Sequence, residues 1–483
     1  MTQPAGEEHR LYIGGAWVQG AAVAENRNPS DLEDVVGRYA QAGASHVADA
    51  VAAAKAAAPA WAASTPQQRF DALDFIGSEI LARKEDLGRL LAREEGKTLP
   101  ESIGEVARAG AIFKFFAGEA LRAGGEHIPS VRPGIEIDML REPLGVVGLI
   151  TPWNFPAAIP AWKTAPALAF GNTVVLKPAE LVPGSAWALA EIISRSGLPA
   201  GAFNLLTGKG SVLGEALVAH PDVAGISFTG SVAVGTTLAA KCASRLARIQ
   251  LEMGGKNPLV VLDDADIAVA VNAAVNGAYF STGQRCTASS RLIVTAGIEQ
   301  KFVRAMKERL ATLKVDDALA AGTDIGPVVD ESQLEKDLSY IALGSKEGGN
   351  LAFGGERLSR GKQGYYLSPA LFTETTGAMR LNREEVFGPV AGVMRARDYD
   401  EALAMANDTP FGLCAGICTT SLKHASHFRK HAQAGMVMVN LPTAGVDYHV
   451  PFGGKKGSSY GTREQGRYAL EFYTTVKTCY TAP

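Results

Sequence analysis

From residue 141 to residue 242, short β-branched runs alternate with helical stretches, and that alternation restricts the chain to one class of fold. Val146–Ile150, Thr173–Leu176, Phe203–Leu206 and Gly225–Phe228 read as strands. Helices are expected at Ala157–Phe170, Ser185–Ser196, Val212–Ala219 and Val232–Cys242. Strands followed in turn by helices build a parallel sheet covered on both faces, so the chain is α/β. In such sheets ligands bind at the carboxyl ends of the strands. A second strand–helix series runs from Leu259 to about Val439, which makes Leu251–Pro258 the expected linker between two α/β units.

Before residue 141 the pattern is helical. The Ala-rich stretch Ser45–Ala58 is expected to stop near Pro59. One helix is expected over Gln67–Glu95, with Phe70, Leu73, Ile76 and Ile80 at helical spacing, and another over Ser102–Leu121. The tail Tyr468–Tyr480 is β-rich and reads as an added strand, suited to pairing across a subunit interface. A net charge of −3 argues against a nucleic-acid partner. Five scattered cysteines form no disulfide framework, which points to a reducing compartment, and neither a leader nor a membrane span is expected. The expected location is therefore cytoplasmic.

Polar motifs fall where strands end. Thr151-Pro152-Trp153-Asn154-Phe155-Pro156 follows the first strand; the Asn154 amide is placed to donate to an oxyanion, or simply to shape a turn. Lys177 and Glu180 follow the second strand and suit ribose hydroxyls, although a surface ion pair explains them too. Gly230 and Ser231 open a helix whose N-terminus suits a pyrophosphate or is merely capped. Glu252 stands among apolar and glycine residues, where desolvation would move its pKa toward a general-base range. Cys286, within Gly283-Gln284-Arg285-Cys286-Thr287, has neighbours unlike those of a core thiol, and a nearby cation or aligned backbone amides would lower its pKa. Glu385 offers a further carboxylate beside Phe387. His424, His427 and His431 share one helical face, but the lysines and arginines around them favour an exposed basic helix, and no metal site is expected.

Together, and in this order, these motifs resemble the aldehyde dehydrogenase superfamily over essentially the whole chain. The resemblance implies a Rossmann-like parallel-sheet cofactor domain (1–121 and 141–252), a second α/β catalytic domain (253–443) and a small β oligomerisation element (122–140 and 466–483). It implies Cys286 as nucleophile, Glu252 as general base, Asn154 as oxyanion donor and Lys163 as support for proton relay. Trp153, Lys177, Glu180, Gly230, Ser231, Glu385 and Phe387 would hold the cofactor, with NAD favoured by Glu180 and NADP left open. Phe155, Arg285 and Phe452 would face a small-molecule aldehyde, and a homodimer or homotetramer is expected. The stretches Ile128–Gly134, Val439–His449 and Glu471–Thr478 resemble bacterial enzymes oxidising 2-oxoglutarate semialdehyde, which need a cation for a carboxylate; Arg285, then Arg108 or Lys114, are the candidates. Succinate semialdehyde, broad-specificity and CoA-acylating enzymes, or an inactive binding homologue, are the competing expectations.

Overall fold

The structure is a computed structural model that describes residues 8–482. Its frame is an eight-stranded sheet and a seven-stranded sheet. The first is ordered Ser459–Tyr460, Arg248–Glu252, Val223–Thr229, Val146–Ile150, Thr173–Lys177, Phe203–Leu205, Leu11–Ile13, Ala16–Val18. Its middle five strands run parallel and its outer pairs antiparallel. Val146–Ile150 and Thr173–Lys177 are buried along their whole length, as continuous apolar runs covered on both faces must be. From Val146–Ile150 the chain adds two strands on one side and then returns to its other side with Val223–Thr229. That reversal opens a crevice between the ends of these two strands, where Thr151–Asn154 and Gly230–Ser231 lie.

The seven-stranded sheet is ordered Asn350–Phe353, Ala370–Thr375, Val390–Ala396, Arg291–Thr295, Pro258–Val261, Cys414–Cys418, Met436–Val439, parallel except for its first pair. A smaller antiparallel sheet joins Thr474–Thr481, Glu136–Pro143 and Glu126–Pro129. The tail therefore pairs with its own chain, from Thr474 opposite Pro143 to Thr481 opposite Glu136. Among the described residues no helix is long and apolar enough to cross a membrane.

Four local expectations need correction. The first helix, Ala44–Ala62, runs through Pro59. Trp61 carries it past the proline, because its ring is buried and its Nε1 donates to the Leu168 carbonyl at 3.1 Å. The single helix over 67–95 is two, Pro66–Ala82 and Lys84–Glu95, broken at Arg83 (φ −105°, ψ 13°). Glu252 is the last residue of a strand rather than part of a linker, so its backbone is fixed by the sheet. Phe472 and Tyr473 end a short helix, Leu470–Tyr473, and pack into the core before the final strand starts.

Candidate active site

The helix Ile267–Tyr279 delivers the chain to Cys286 through a strained turn. Ser281, Thr282 and Gly283 are left-handed in succession, with φ of 50°, 57° and 66°. For a β-branched threonine this conformation costs on the order of 1–3 kcal/mol, so neighbouring contacts must impose it. Glu101 supplies several: its Oε1 accepts from Ser281 N at 2.9 Å, Ser281 Oγ at 3.0 Å and Arg285 Nη2 at 3.0 Å. From the far side, Asn257 Nδ2 donates to the carbonyls of Cys286 (2.8 Å) and Ala288 (2.9 Å), while its Oδ1 accepts from Cys414 N at 2.9 Å.

Of the cation and the aligned backbone amides expected to lower the thiol's pKa, only the amides act, and they are outweighed. Burial first, then the charges of Glu385 and Glu252, push the Cys286 thiol up to about 12, against a smaller opposing effect of the backbone N–H groups of Cys286 and Thr287. The adjacent Arg285 cannot help because Glu101 neutralises it. Lys114 is also excluded as a pocket cation: it bonds Asp74 at 2.6 Å and Ser78 at 2.5 Å, on the neighbouring helix.

Two carboxylates share a pocket with the cysteine. Glu252 accepts from Ser459 Oγ at 2.6 Å through Oε2, and its Oε1 is buried without a partner. Burial and the nearby Glu464 raise its pKa well above the usual carboxylate value. Gly453 (φ +147°) makes room for it, since a Cβ there would lie 2.7 Å from Glu252 Oε1. Glu385 accepts from Gly255 N at 2.8 Å and is raised by burial. Phe387, itself left-handed at φ 69°, meets the Trp153 ring edge-on at 5.4 Å.

Asn154 is buried; its Nδ2 donates to the Gln284 carbonyl at 3.0 Å, two residues before the cysteine. Its own carbonyl accepts from Lys97 Nζ at 2.8 Å, and Lys97 pairs with Glu105 at 2.6 Å. Glu105 in turn accepts from the N–H groups of Ala157 and Ala158, at the start of the next helix. Lys163 is wholly buried, bonded to Ser227 Oγ at 2.7 Å and to Glu464. It lines none of the clefts described below; its charge acts on Glu252 to lower the pKa, against the larger effects of burial and Glu464.

Three cavities meet here. A cleft of about 700 Å³ at the sheet crevice is bordered by Trp153, Lys177, Glu180, Gly230 and Ser231. Ser231 caps the helix Val232–Ser244, accepting from Val234 N at 3.4 Å. A central pocket of about 190 Å³ shares Trp153, Gly230 and Ser231 with that cleft and adds Asn154, Glu252, Cys286, Glu385 and Phe387. Beyond it a chamber of about 360 Å³ is lined by Phe155, Arg285, Phe452, Arg108 and again Cys286. The cysteine thus borders both inner spaces.

The cleft suits a dinucleotide. The hydroxyls of Thr151 and Thr229, on its wall, are buried without partners, and a capped helix N-terminus opens onto it.

Residues 17–479 match the Aldehyde dehydrogenase family. The chain belongs to that family. It is therefore an NAD(P)-dependent aldehyde dehydrogenase, an oxidoreductase. The enzyme is similar to the alpha-ketoglutaric semialdehyde dehydrogenase of Bacillus subtilis, at 43% identity over 98% of each chain. It is 41% identical to the 2,5-dioxopentanoate dehydrogenase of Saccharolobus solfataricus, over 96% of this chain and 97% of that one. In three dimensions it resembles the betaine aldehyde dehydrogenase of Staphylococcus aureus solved in complex with NAD+, with a TM-score of 0.96 and 35% identity over 98% of this chain and 95% of that one.

Sequence reasoning assigned no role to Asn257, within the Leu251–Pro258 motif, and left out Glu101, Lys97, Glu105, Ser459 and Glu464. The one local signal was a run of charge and glycine, Glu94-Glu95-Gly96-Lys97, all of it buried here. The three histidines do what a surface helix allows: His424 stacks on Tyr399 at 4.4 Å, and His427 on His431 at 3.8 Å.

Proposed function

We propose that the enzyme oxidises 2-oxoglutarate semialdehyde to 2-oxoglutarate with NAD, through a thioester on Cys286. The observation that carries this is the position of Cys286 on the wall common to the central pocket and the outer chamber, with Glu252 in the pocket. The names of the relatives support the substrate. Glu180 at the cleft rim, and the NAD+ held by the Staphylococcus aureus neighbour, support NAD over NADP.

In this reading Trp153, Lys177, Glu180, Gly230 and Ser231 hold the cofactor, while Glu385 and Phe387 border its nicotinamide end. The aldehyde enters from the chamber past Phe155 and Phe452. Cys286 Sγ gives its proton to solvent and attacks the carbonyl carbon as the thiolate. Asn154 Nδ2 and the Cys286 N–H hold the oxyanion, once Asn154 exchanges the Gln284 carbonyl for it. The nicotinamide, when bound, supplies the hydride acceptor. Glu252 next deprotonates the water that hydrolyses the thioester, and Lys163 with Glu464 stands behind it to disperse the proton.

The nucleotide-binding unit is read as 1–121 and 141–252, the catalytic unit as 253–443, and the assembly element as 122–140 and 466–483. The separate small sheet supports the last of these, and its edge strand Thr474–Thr481 suits a homodimer or homotetramer. Five free cysteines, one of them the nucleophile, fit a reducing compartment such as the cytoplasm.

Steady-state kinetics over a panel of aldehydes, each with NAD and NADP, tests the proposal. The highest kcat/KM is expected for 2-oxoglutarate semialdehyde with NAD; higher efficiency with succinate semialdehyde or an uncharged aldehyde overturns the substrate. Cys286→Ala should abolish NADH formation and still bind NAD, and residual turnover in it overturns the nucleophile.

A further inference from the structure

We infer that Arg108 receives the distal carboxylate of the substrate, an inference that rests on the semialdehyde reading above. The chamber wall carries three cations, Lys97, Arg108 and Arg285, and two carboxylates, Glu101 and Glu105. Two pairs cancel: Lys97 with Glu105 at 2.6 Å and Arg285 with Glu101 at 3.0 Å. Each of those residues is further committed to backbone or hydroxyl partners that shape the Cys286 and Asn154 loops. Arg108 is the surplus charge.

Among the described residues its only hydrogen bond is to a neutral amide, from Nη2 to Gln465 Oε1 at 3.0 Å. No carboxylate among the described residues lies within ion-pair distance; Glu105 and Asp447 act on it only from further away. Among the described residues Nη1 has no hydrogen-bond partner, Nε is buried without one, and the residue lines the chamber. The Trp162 ring, 5.8 Å from the guanidinium carbon, and Gln465 fix the direction of the side chain. Burial lowers the pKa of Arg108, as befits a cation without a counter-ion, yet an arginine stays charged. Arg108 and Cys286 line the same chamber. A planar guanidinium matches a carboxylate beside an oxo group better than a lysine ammonium would.

The test compares kcat/KM for 2-oxoglutarate semialdehyde with that for pentanal, which has the same number of carbons and no charge. In Arg108→Met the ratio of the two should fall about 100-fold, and Arg108→Lys should restore part of it. A ratio unchanged in Arg108→Met overturns the inference and leaves Arg108 a support for Gln465. A wild-type enzyme that prefers pentanal instead removes the substrate reading itself, so the two failures are distinct. A measurement on the wild type covers the case in which Arg108→Met does not fold. Phenylglyoxal should modify Arg108, located by peptide mass spectrometry, and 2-oxoglutarate should protect it; absence of protection overturns the inference.

Discussion

Asn257 Nδ2 donates to the carbonyl oxygen of Cys286 at 2.8 Å, which ties the nucleophile's backbone to the start of the seven-stranded sheet. The same side chain satisfies Ala288 O and Cys414 N. Asn257→Ala would leave Cys286 O and Cys414 N unpaired in a buried place, while Ala288 O keeps the Ser290 N–H at 3.2 Å. The expected loss is about 3 kcal/mol of stability, read by urea unfolding, together with a fall in kcat greater than any change in KM for NAD. Unfolding at the wild-type midpoint with normal kcat would show the loop to be held by other contacts.

The thiol's environment makes a pH prediction. With its pKa pushed up to about 12, Cys286 in the cofactor-free enzyme is a neutral thiol at pH 7, and its thiolate fraction rises with pH. Alkylation by iodoacetamide at Cys286 should therefore accelerate about tenfold per pH unit from pH 7 to 9, without a plateau. Glu385→Gln removes one of the two opposing carboxylates and should raise the rate at pH 7. A plateau below pH 8 would mean that a cation or a base already activates the sulfur.

Local structure was legible wherever one segment decides its own state. The strands Val146–Ile150 and Thr173–Lys177 show as unbroken apolar runs because both faces are covered, and the motifs at their ends mark the crevice. The errors lie where a distant partner decides. Nothing near Arg285 says that Glu101, 184 residues away, takes its charge. The hold of Asn257 on the cysteine loop depends on Cys414, 157 residues on, and Lys114 turns away because Asp74 waits on another helix. Pro59 alone argues for a helix end; the burial of Trp61 overrides it.

Glu252 has one bonded oxygen and one buried free one, as suits a base that must reach a water. Glu252→Gln should leave the first turnover of NADH visible and slow the steady state by about 10²–10⁴-fold. Mass spectrometry should then find the acyl group on the peptide containing Cys286. Normal steady-state turnover would remove Glu252 from deacylation.

Gly453 tests the same carboxylate from the other side. In Gly453→Ala the new methyl would stand 2.7 Å from Glu252 Oε1 and 2.6 Å from Arg463 Nη1, at a φ of +147° that alanine resists. Glu252 is fixed by its strand and by Ser459, so the side chain has little freedom to yield. A loss of about 1–3 kcal/mol is expected from the backbone alone, with a larger effect on thioester hydrolysis than on NAD binding. Pre-steady-state bursts separate the two, and a variant with an unchanged deacylation rate would show that Glu252 moves freely in its pocket.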